Sequence, residues 1–226
     1  MTDHDHSHGH GAGRELPDDV ADLFTQETWD ARYAESDRLW SGRPNARLVE
    51  HLTGVTPGDA LDVGAGEGAD AVWLAGQGWM VTALDVSQVA LERTAAHAVE
   101  AGVGLRVTTR RHDLMSGAPL AGTFDLVSAQ YLHPPSDRFD DIIGRLGAAV
   151  RPGGLLLVVG HHPEDEAMKL RGGHRHPELL FEPEKVVAAL AEQDWEVLVT
   201  DTPTREVSRQ EHPVTARDTV VLARRR

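Results

Sequence analysis

Asp62, Gly64, Gly66 and Gly68 stand at alternate positions in the stretch LDVGAGEGADAVWLAGQGWMVTALDVS, and Asp85 follows Asp62 by twenty-three residues. Glycine accepts positive φ and lets the backbone come close to a ligand. An acid about twenty residues on is placed to accept hydrogen bonds from ribose hydroxyls. Such a turn cradles a nucleotide, but nicotinamide cofactors, phosphate donors and methyl donors all use one. Without a ligand it is a tight turn, at the entropic cost of alternating glycines.

The flanking residues discriminate. GAGEGA satisfies the GxGxxG/A pattern of a dinucleotide turn. Asp62, two residues before the first glycine, would repel a pyrophosphate but can accept hydrogen bonds from an ammonium. Glu67 would stand at a helix N-terminus, where it suits the helix dipole and competes with a bound phosphate. No GxxxxGK[ST] occurs, so a P-loop is excluded. In RRHDLM, Asp113 is placed to accept from an adenine amino group or to cap a turn. In AQYLHPP, Tyr131 and His133 sit where an acceptor would reach, and His133 is the candidate base. His161, His162, His174 and His176 follow, and with His133 they would converge on a metal or serve as polar loop residues. Lys169, Arg171 and Arg175 lie in the same charged loop, suited to an anionic acceptor or to solvent.

The elements that position these groups follow from periodicity. Residues 18–35 repeat apolar side chains at helical spacing, and a second helix covers 45–52. Strands are expected at 60–63, 80–84, 105–109, 124–128, 155–159, 195–200 and 219–223. Helices are expected at 68–77, 86–101, 137–150 and 183–193, with Ser87 capping the second and Gly102 just past its end. Strands alternating with helices imply a parallel sheet covered on both faces. Residues 201–218 read as an irregular connection between two strands that pair antiparallel. The expected fold is α/β, a Rossmann-like, seven-stranded, mostly parallel sheet with an antiparallel C-terminal strand. Three regions are expected: a His-rich disordered tail (1–16), a helical lid segment (17–57) and the α/β domain (58–226).

Composition narrows the function. The 226 residues include no cysteine, which excludes disulfides, thiolate metal sites and a cysteine nucleophile. The formal net charge of −14 argues against a nucleic-acid substrate, whose binding rests on clustered Lys and Arg. No apolar run approaches the roughly 20 residues of a membrane span, and no secretory signal is visible, so a soluble cytoplasmic protein is expected. His4, His6, His8 and His10 form a solvated tract with incidental metal affinity.

These motifs together resemble class I S-adenosylmethionine-dependent methyltransferases. LDVGAGEG resembles the family's first motif, VTALDVS its acidic second-strand end, RHDLMS its adenine-side motif, FDLVSAQYLH its fourth strand and RPGGLLLVVG its fifth. The likeness covers about residues 28–226, and WDARYAESDRLWSGRPNARLVEHL is similar to the N-terminal segment of small bacterial tellurite-resistance methyltransferases. One departure is Ala65, where many members carry Cys or another small residue.

The resemblance implies S-adenosylmethionine as cofactor. It assigns Asp62, Gly64, Ala65 and Gly66 to the methionine part, Asp85 and Val86 to the ribose and adenine edge, and Asp113 and Leu114 to adenine. Ala129 would lie near the sulfonium, and Trp40 would close over the cofactor or pack under the N-terminal helices. AQYLHPP differs from the Asp/Asn-Pro-Pro-Tyr motif of amino-group methylation on adenine or glutamine. The expected acceptor is a small molecule, and the expected state is a monomer or homodimer. An NAD(P)-dependent oxidoreductase and a non-catalytic cofactor- or metal-binding protein stay open as alternatives; the first lacks a Tyr-x-x-x-Lys pair.

Overall fold

A computed structural model describes residues 19–170, 176–190, 194–209 and 212–226. The His-rich tail, Arg171, His174 and Arg175 lie outside the described residues, as does the side chain of Lys169. Helices α1 (Gln26–Ala34) and α2 (Ala46–Leu52) precede an alternation of β1 (Asp59–Val63), α3 (Ala69–Gly76), β2 (Met80–Asp85), α4 (Gln88–Glu100) and β3 (Val107–Arg111). Then come β4 (Phe124–Gln130), α5 (Phe139–Ala148), β5 (Val150–His161), α6 (Glu166–Leu170) and α7 (Pro183–Ala189). Strands β6 (Trp195–Asp201), β7 (Thr204–Arg209) and β8 (His212–Arg225) complete the chain.

The sheet order is β3-β2-β1-β4-β5-β8-β6, with β7 paired to β8. Strands β1 to β5 are parallel, and β8 runs antiparallel to β5, β6 and β7. Strand order reverses between β1 and β4, and ligands of open α/β sheets bind outside the strand ends at such a point.

Side chains alternate between two cores, as the period of a strand requires. Leu61, Val63, Val127, Ala129, Leu156 and Val158 pack with Phe139, Ile143, Leu146 and Phe181 on one face. Ala60, Val81, Ala83, Leu126, Leu157 and Val159 pack with Leu48, Leu52, Leu74 and Trp79 on the other. Leu48 and Leu52 are fully buried there, so α2 is built into the body of the domain. Among the described residues no helix is long and apolar enough to cross a membrane.

Local chemistry sets the boundaries. Ser87 accepts from the Ala90 amide at 3.1 Å and caps α4, and Gly102 follows its end at φ 73°. Asn45 caps α2 by accepting from the Arg47 amide at 2.8 Å. The expected helix over 18–35 is broken at Thr25, whose extended backbone and hydroxyl start α1 after a short 3₁₀ turn at Val20–Phe24.

Four further expectations change. Among the described residues the sheet has eight strands, because 201–218 contain β7 and the first half of β8. These segments are mostly polar and lie at the edge of the sheet, so the apolar alternation that marks a half-buried strand is missing. β5 begins at Val150, not Leu155, since Val150 pairs with Phe124 and RPGG forms an irregularity before the register resumes at Leu126 and Leu155. The helix expected to run to 150 therefore stops at Ala148. β3 is displaced to Val107–Arg111, leaving Leu105 in a 3₁₀ turn and 99 % exposed despite its apolar character.

Candidate active site

The glycine turn joins β1 to α3 at the order reversal. Gly64, Gly66 and Gly68 have φ of 73°, 56° and 83°, the left-handed region that side chains disfavour. The Gly64 and Ala65 amides donate to the Leu84 carbonyl at 2.8 and 2.9 Å, tying the turn to the end of β2. The Gly66 amide donates to Asp85 Oδ2 at 2.8 Å, and the Ser87 amide donates to Asp85 Oδ1 at 2.9 Å. Both oxygens of Asp85 are thus fixed, and each keeps a lone pair for a further donor.

Asp62 is 2 % exposed, and its Oδ2 has no hydrogen-bond partner among the described residues. Burial, then Asp70 and Asp85, push its carboxyl well above the usual range. Asp70 opens α3 and accepts from the Asn45 amide at 2.6 Å; burial raises it to about 6. Burial raises Asp85 as well. An orphan carboxylate oxygen among three crowded acids is satisfied by a cationic donor and opposed by a phosphate. This set of acceptors, under glycines that leave room for a ligand, fits an amino-acid ammonium beside a nucleoside.

Glu67 turns away from the cradle. It is 5 % exposed, accepts from the Leu39 and Trp40 amides at 3.1 and 3.0 Å, and pairs with Arg93 at 2.7 Å. The expectation that it competes with a bound phosphate is therefore corrected: it anchors the segment before α2. Trp40 Nε1 donates to the Tyr33 hydroxyl at 3.0 Å. A Cβ on Gly66 would meet that hydroxyl at 3.0 Å and Trp40 Nε1 at 3.3 Å, so both side chains roof the turn. Asp30 on α1 accepts from the Ser87 hydroxyl at 2.6 Å and holds that helix to α4.

The remaining expected residues gather at the same edge. Ala65 and Val86 are half-buried, and Ala129 on β4 is buried opposite Val63 of β1. Asp113 is exposed and caps the 3₁₀ turn Leu114–Ser116 by accepting from the Met115 amide at 2.7 Å. Leu114 packs on the core.

Beyond β4 the chain turns sharply at Tyr131, whose φ of 53° is unusual for a residue with a side chain. Its hydroxyl donates to the buried Asp218 at 2.9 Å, and burial followed by Asp218 pushes it up to about 12. Arg47 lies 3.2 Å and Arg205 3.5 Å from the carboxylate of Asp218. Leu132 lies 3.7 Å from where a Gly64 Cβ would stand, which brings this loop over the cradle.

His133 does not have the geometry of a base. Its Nε2 accepts from the His161 amide at 3.0 Å, and the ring also bonds the Tyr131 backbone. Burial, then His161, hold it neutral with a pKa of about 3. It supports the loop. The His161 ring stacks on His133 at 5.2 Å and on Tyr131 at 4.5 Å between centroids. His162 accepts from the Glu164 amide at 3.1 Å, and His176 pairs with Glu178 at 3.2 Å. Among the described residues no three His, Asp or Glu side chains are grouped to hold a metal ion.

Sequence reasoning missed Asp30, Tyr33, Asp70, Arg93, Asp165 and Asp218. Asp165 alone carried a signal, its i,i+4 spacing from His161. The others act across long sequence separations.

Residues 60–154 match the family model described as "Methyltransferase domain". Nocamycin O-methyltransferase of Saccharothrix syringae is 34 % identical over 125 residues, covering 54 % of this chain and 44 % of that protein. Ribosomal RNA small subunit methyltransferase G of Burkholderia cenocepacia is 34 % identical over 137 residues, covering 57 % of each. The chain thus spans about half the length of these curated relatives. The fold resembles TehB from Haemophilus influenzae with a TM-score of 0.65 at 15 % identity, covering 89 % of this chain and 67 % of that one. It also resembles magnesium protoporphyrin IX methyltransferase from Synechocystis PCC 6803 with bound SAH, with a TM-score of 0.61 at 20 % identity, covering 80 % and 81 %.

Proposed function

Taking as premise that residues 60–154 are a methyltransferase domain, within a chain of class I methyltransferase fold, we propose that the protein transfers a methyl group from S-adenosylmethionine to a small molecule. The observation that carries the reading is the unpartnered Oδ2 of Asp62, buried with Asp70 and Asp85 beneath three left-handed glycines. A pyrophosphate placed there meets three acids, whereas an ammonium meets an acceptor. That disfavours a nicotinamide cofactor. Supporting the donor, the magnesium protoporphyrin IX methyltransferase of similar fold was solved with bound SAH.

Each residue has a task in this reading. Asp62 takes the ammonium, and Gly64, Ala65 and Gly66 pass close to the methionine part. Asp85, held by the Gly66 and Ser87 amides, accepts from the ribose hydroxyls, with Val86 at the adenine edge. Asp113 and Leu114 would flank the adenine, Ala129 would contact the cofactor near the sulfonium, and Trp40 would close over it. The cofactor supplies a methyl already activated on a sulfonium. The protein then has to align an acceptor lone pair with it and exclude water.

The acceptor edge is a short wall of rings, Tyr131, His133 and His161, beside Arg47 and Arg205, which suits a small molecule. RNA is the second reading, favoured by the ribosomal RNA methyltransferase among the relatives. A net charge of −14 opposes it, because RNA binding draws on phosphate neutralisation by cations. Incubation with methyl-labelled S-adenosylmethionine, a small-metabolite extract and 16S ribosomal RNA separates the readings. Label in low-mass products supports the proposal, label in RNA supports the second reading, and label in neither rejects both.

A further inference from the structure

At the carboxyl edge of β5, His161 Nδ1 lies 3.0 Å from Asp165 Oδ2. The Asp165 side chain is fully buried, and its other oxygen accepts from the Met168 amide at 3.0 Å, so the carboxylate cannot swing away. The His161 side chain keeps 14 % of its surface exposed, and among the described residues no hydrogen bond reaches its Nε2. A carboxylate on Nδ1 holds the ring proton there and leaves the Nε2 lone pair facing outward. A base oriented by a third group is the arrangement that activates a protonated nucleophile.

The neighbouring groups do not compete for this role. The Tyr131 hydroxyl donates to Asp218 and is pushed up to about 12, so it stays protonated. His133 has both ring nitrogens in backbone contacts. His162 and His176 are buried, with Nδ1 engaged by the Glu164 amide and by Glu178. His161 follows Gly160 at the end of β5, and the Tyr131 amide donates to the Val159 carbonyl at 2.7 Å. The dyad therefore shares the strand-end edge on which Leu132 approaches Gly64.

We infer that His161, oriented by Asp165, is the general base of this site, and that the acceptor is a flat phenol methylated on its hydroxyl. The inference rests on the methyltransferase reading. The aromatic acceptor follows from the gathering of the Tyr131, His161 and His133 rings at this edge, whose exposed parts suit contact with a further ring. The hydroxyl follows from the base, which helps only an acceptor that arrives protonated. As the acceptor oxygen bonds to the methyl carbon, its proton passes to His161 Nε2. The electron pair of the breaking carbon–sulfur bond stays on sulfur, leaving a neutral thioether. The proton then leaves from the exposed edge of the imidazole to solvent.

The test uses the full chain with two probes, catechol and benzenethiol, the second of which arrives largely ionised. Nitrogen-15 NMR follows the His161 ring. The expected result is an Nδ1–H tautomer that is lost in Asp165→Asn, whose amide can donate to Nδ1. Catechol methylation is expected to fall by about 10²–10⁴-fold in His161→Ala. The loss on benzenethiol should be at least about tenfold smaller, with S-adenosylhomocysteine affinity unchanged. An Nε2–H tautomer in the unaltered protein, retained catechol turnover in His161→Ala, or equal losses on the two probes would overturn the inference. Failure of the unaltered protein to bind S-adenosylhomocysteine would instead overturn the methyltransferase reading beneath it.

Discussion

The Glu67 carboxylate, at the head of α3, grips the backbone of Trp40 twenty-seven residues earlier, accepting its amide at 3.0 Å. The same carboxylate takes the Leu39 amide and the Arg93 guanidinium, and Arg93 passes on to the Tyr33 carbonyl at 2.6 Å. The roof over the glycine turn is thus fastened from below by one buried acid. Glu67→Gln keeps an acceptor but loses the ion pair, and is expected to cost about 1–3 kcal/mol. Urea denaturation reads the cost, and trypsin reads the loosening through faster cleavage after Arg38, which precedes Leu39. Cleavage at the native rate would mean that the roof is held elsewhere.

Gly64 and Gly68 share a left-handed backbone but should respond differently to alanine. A Cβ on Gly68 would stand 2.6 Å from Thr94 Cγ2 and 2.7 Å from its Oγ1, and that hydroxyl donates to the Gly66 carbonyl at 2.9 Å. Gly68→Ala combines backbone strain with overpacking, about 2–5 kcal/mol in all. At Gly64 the nearest atom is Leu132 Cδ1 at 3.7 Å, so alanine there carries the backbone term alone, about 1–2 kcal/mol. Gly64→Ala should nonetheless lose cofactor affinity, because its methyl occupies the cradle. Denaturation midpoints paired with calorimetry check both halves.

Asp70 makes stability without ligand depend on pH. Its folded pKa of about 6 lies above the unfolded value near 3.8. Its contribution is therefore fully present below about pH 4 and is lost as pH rises through 6, on the order of 1–3 kcal/mol. Asp62 and Asp85 are raised and act in the same direction. Asp30, Asp141 and Asp165 are lowered and act oppositely, losing their contribution as pH falls. Melting temperature should peak in mildly acidic solution. Asp70→Asn, which keeps an acceptor for the Asn45 amide, should flatten the decline between about pH 4 and 7, the span bounded by the unfolded value and the folded one of about 6.

Asp85→Ala should weaken S-adenosylhomocysteine by about 10–100-fold, the loss of a charged acceptor for two hydroxyls together with the Gly66 anchor. Unchanged affinity by calorimetry would reject the ribose role.

The parts of the fold legible in sequence were those that local chemistry dictates. Ser87 and Gly102 mark the two ends of α4, and the glycine turn stands after the first strand. β7 and the first half of β8 were hidden because an edge hairpin need not alternate apolar side chains. Leu105 misled in the other direction, an apolar residue left in solvent. At the site, types and spacing named Asp62, Asp85 and the glycines. Which way a side chain turns was not readable: Glu67 faces the roof, and His133 is spent on backbone. The partners that decide this, Arg93 for Glu67 and the His161 amide for His133, come from distant segments and announce themselves in no local pattern.

The central claim is that the cradle of Asp62, Gly64, Gly66 and Asp85 takes a methyl donor. Calorimetric titration of the protein with S-adenosylhomocysteine, and in parallel with NADH and NADPH, tests it most directly. Binding of the thioether in the micromolar range, about 8 kcal/mol, with no heat from either nicotinamide cofactor, is the predicted result. Binding of NADH or NADPH in its place would contradict the account.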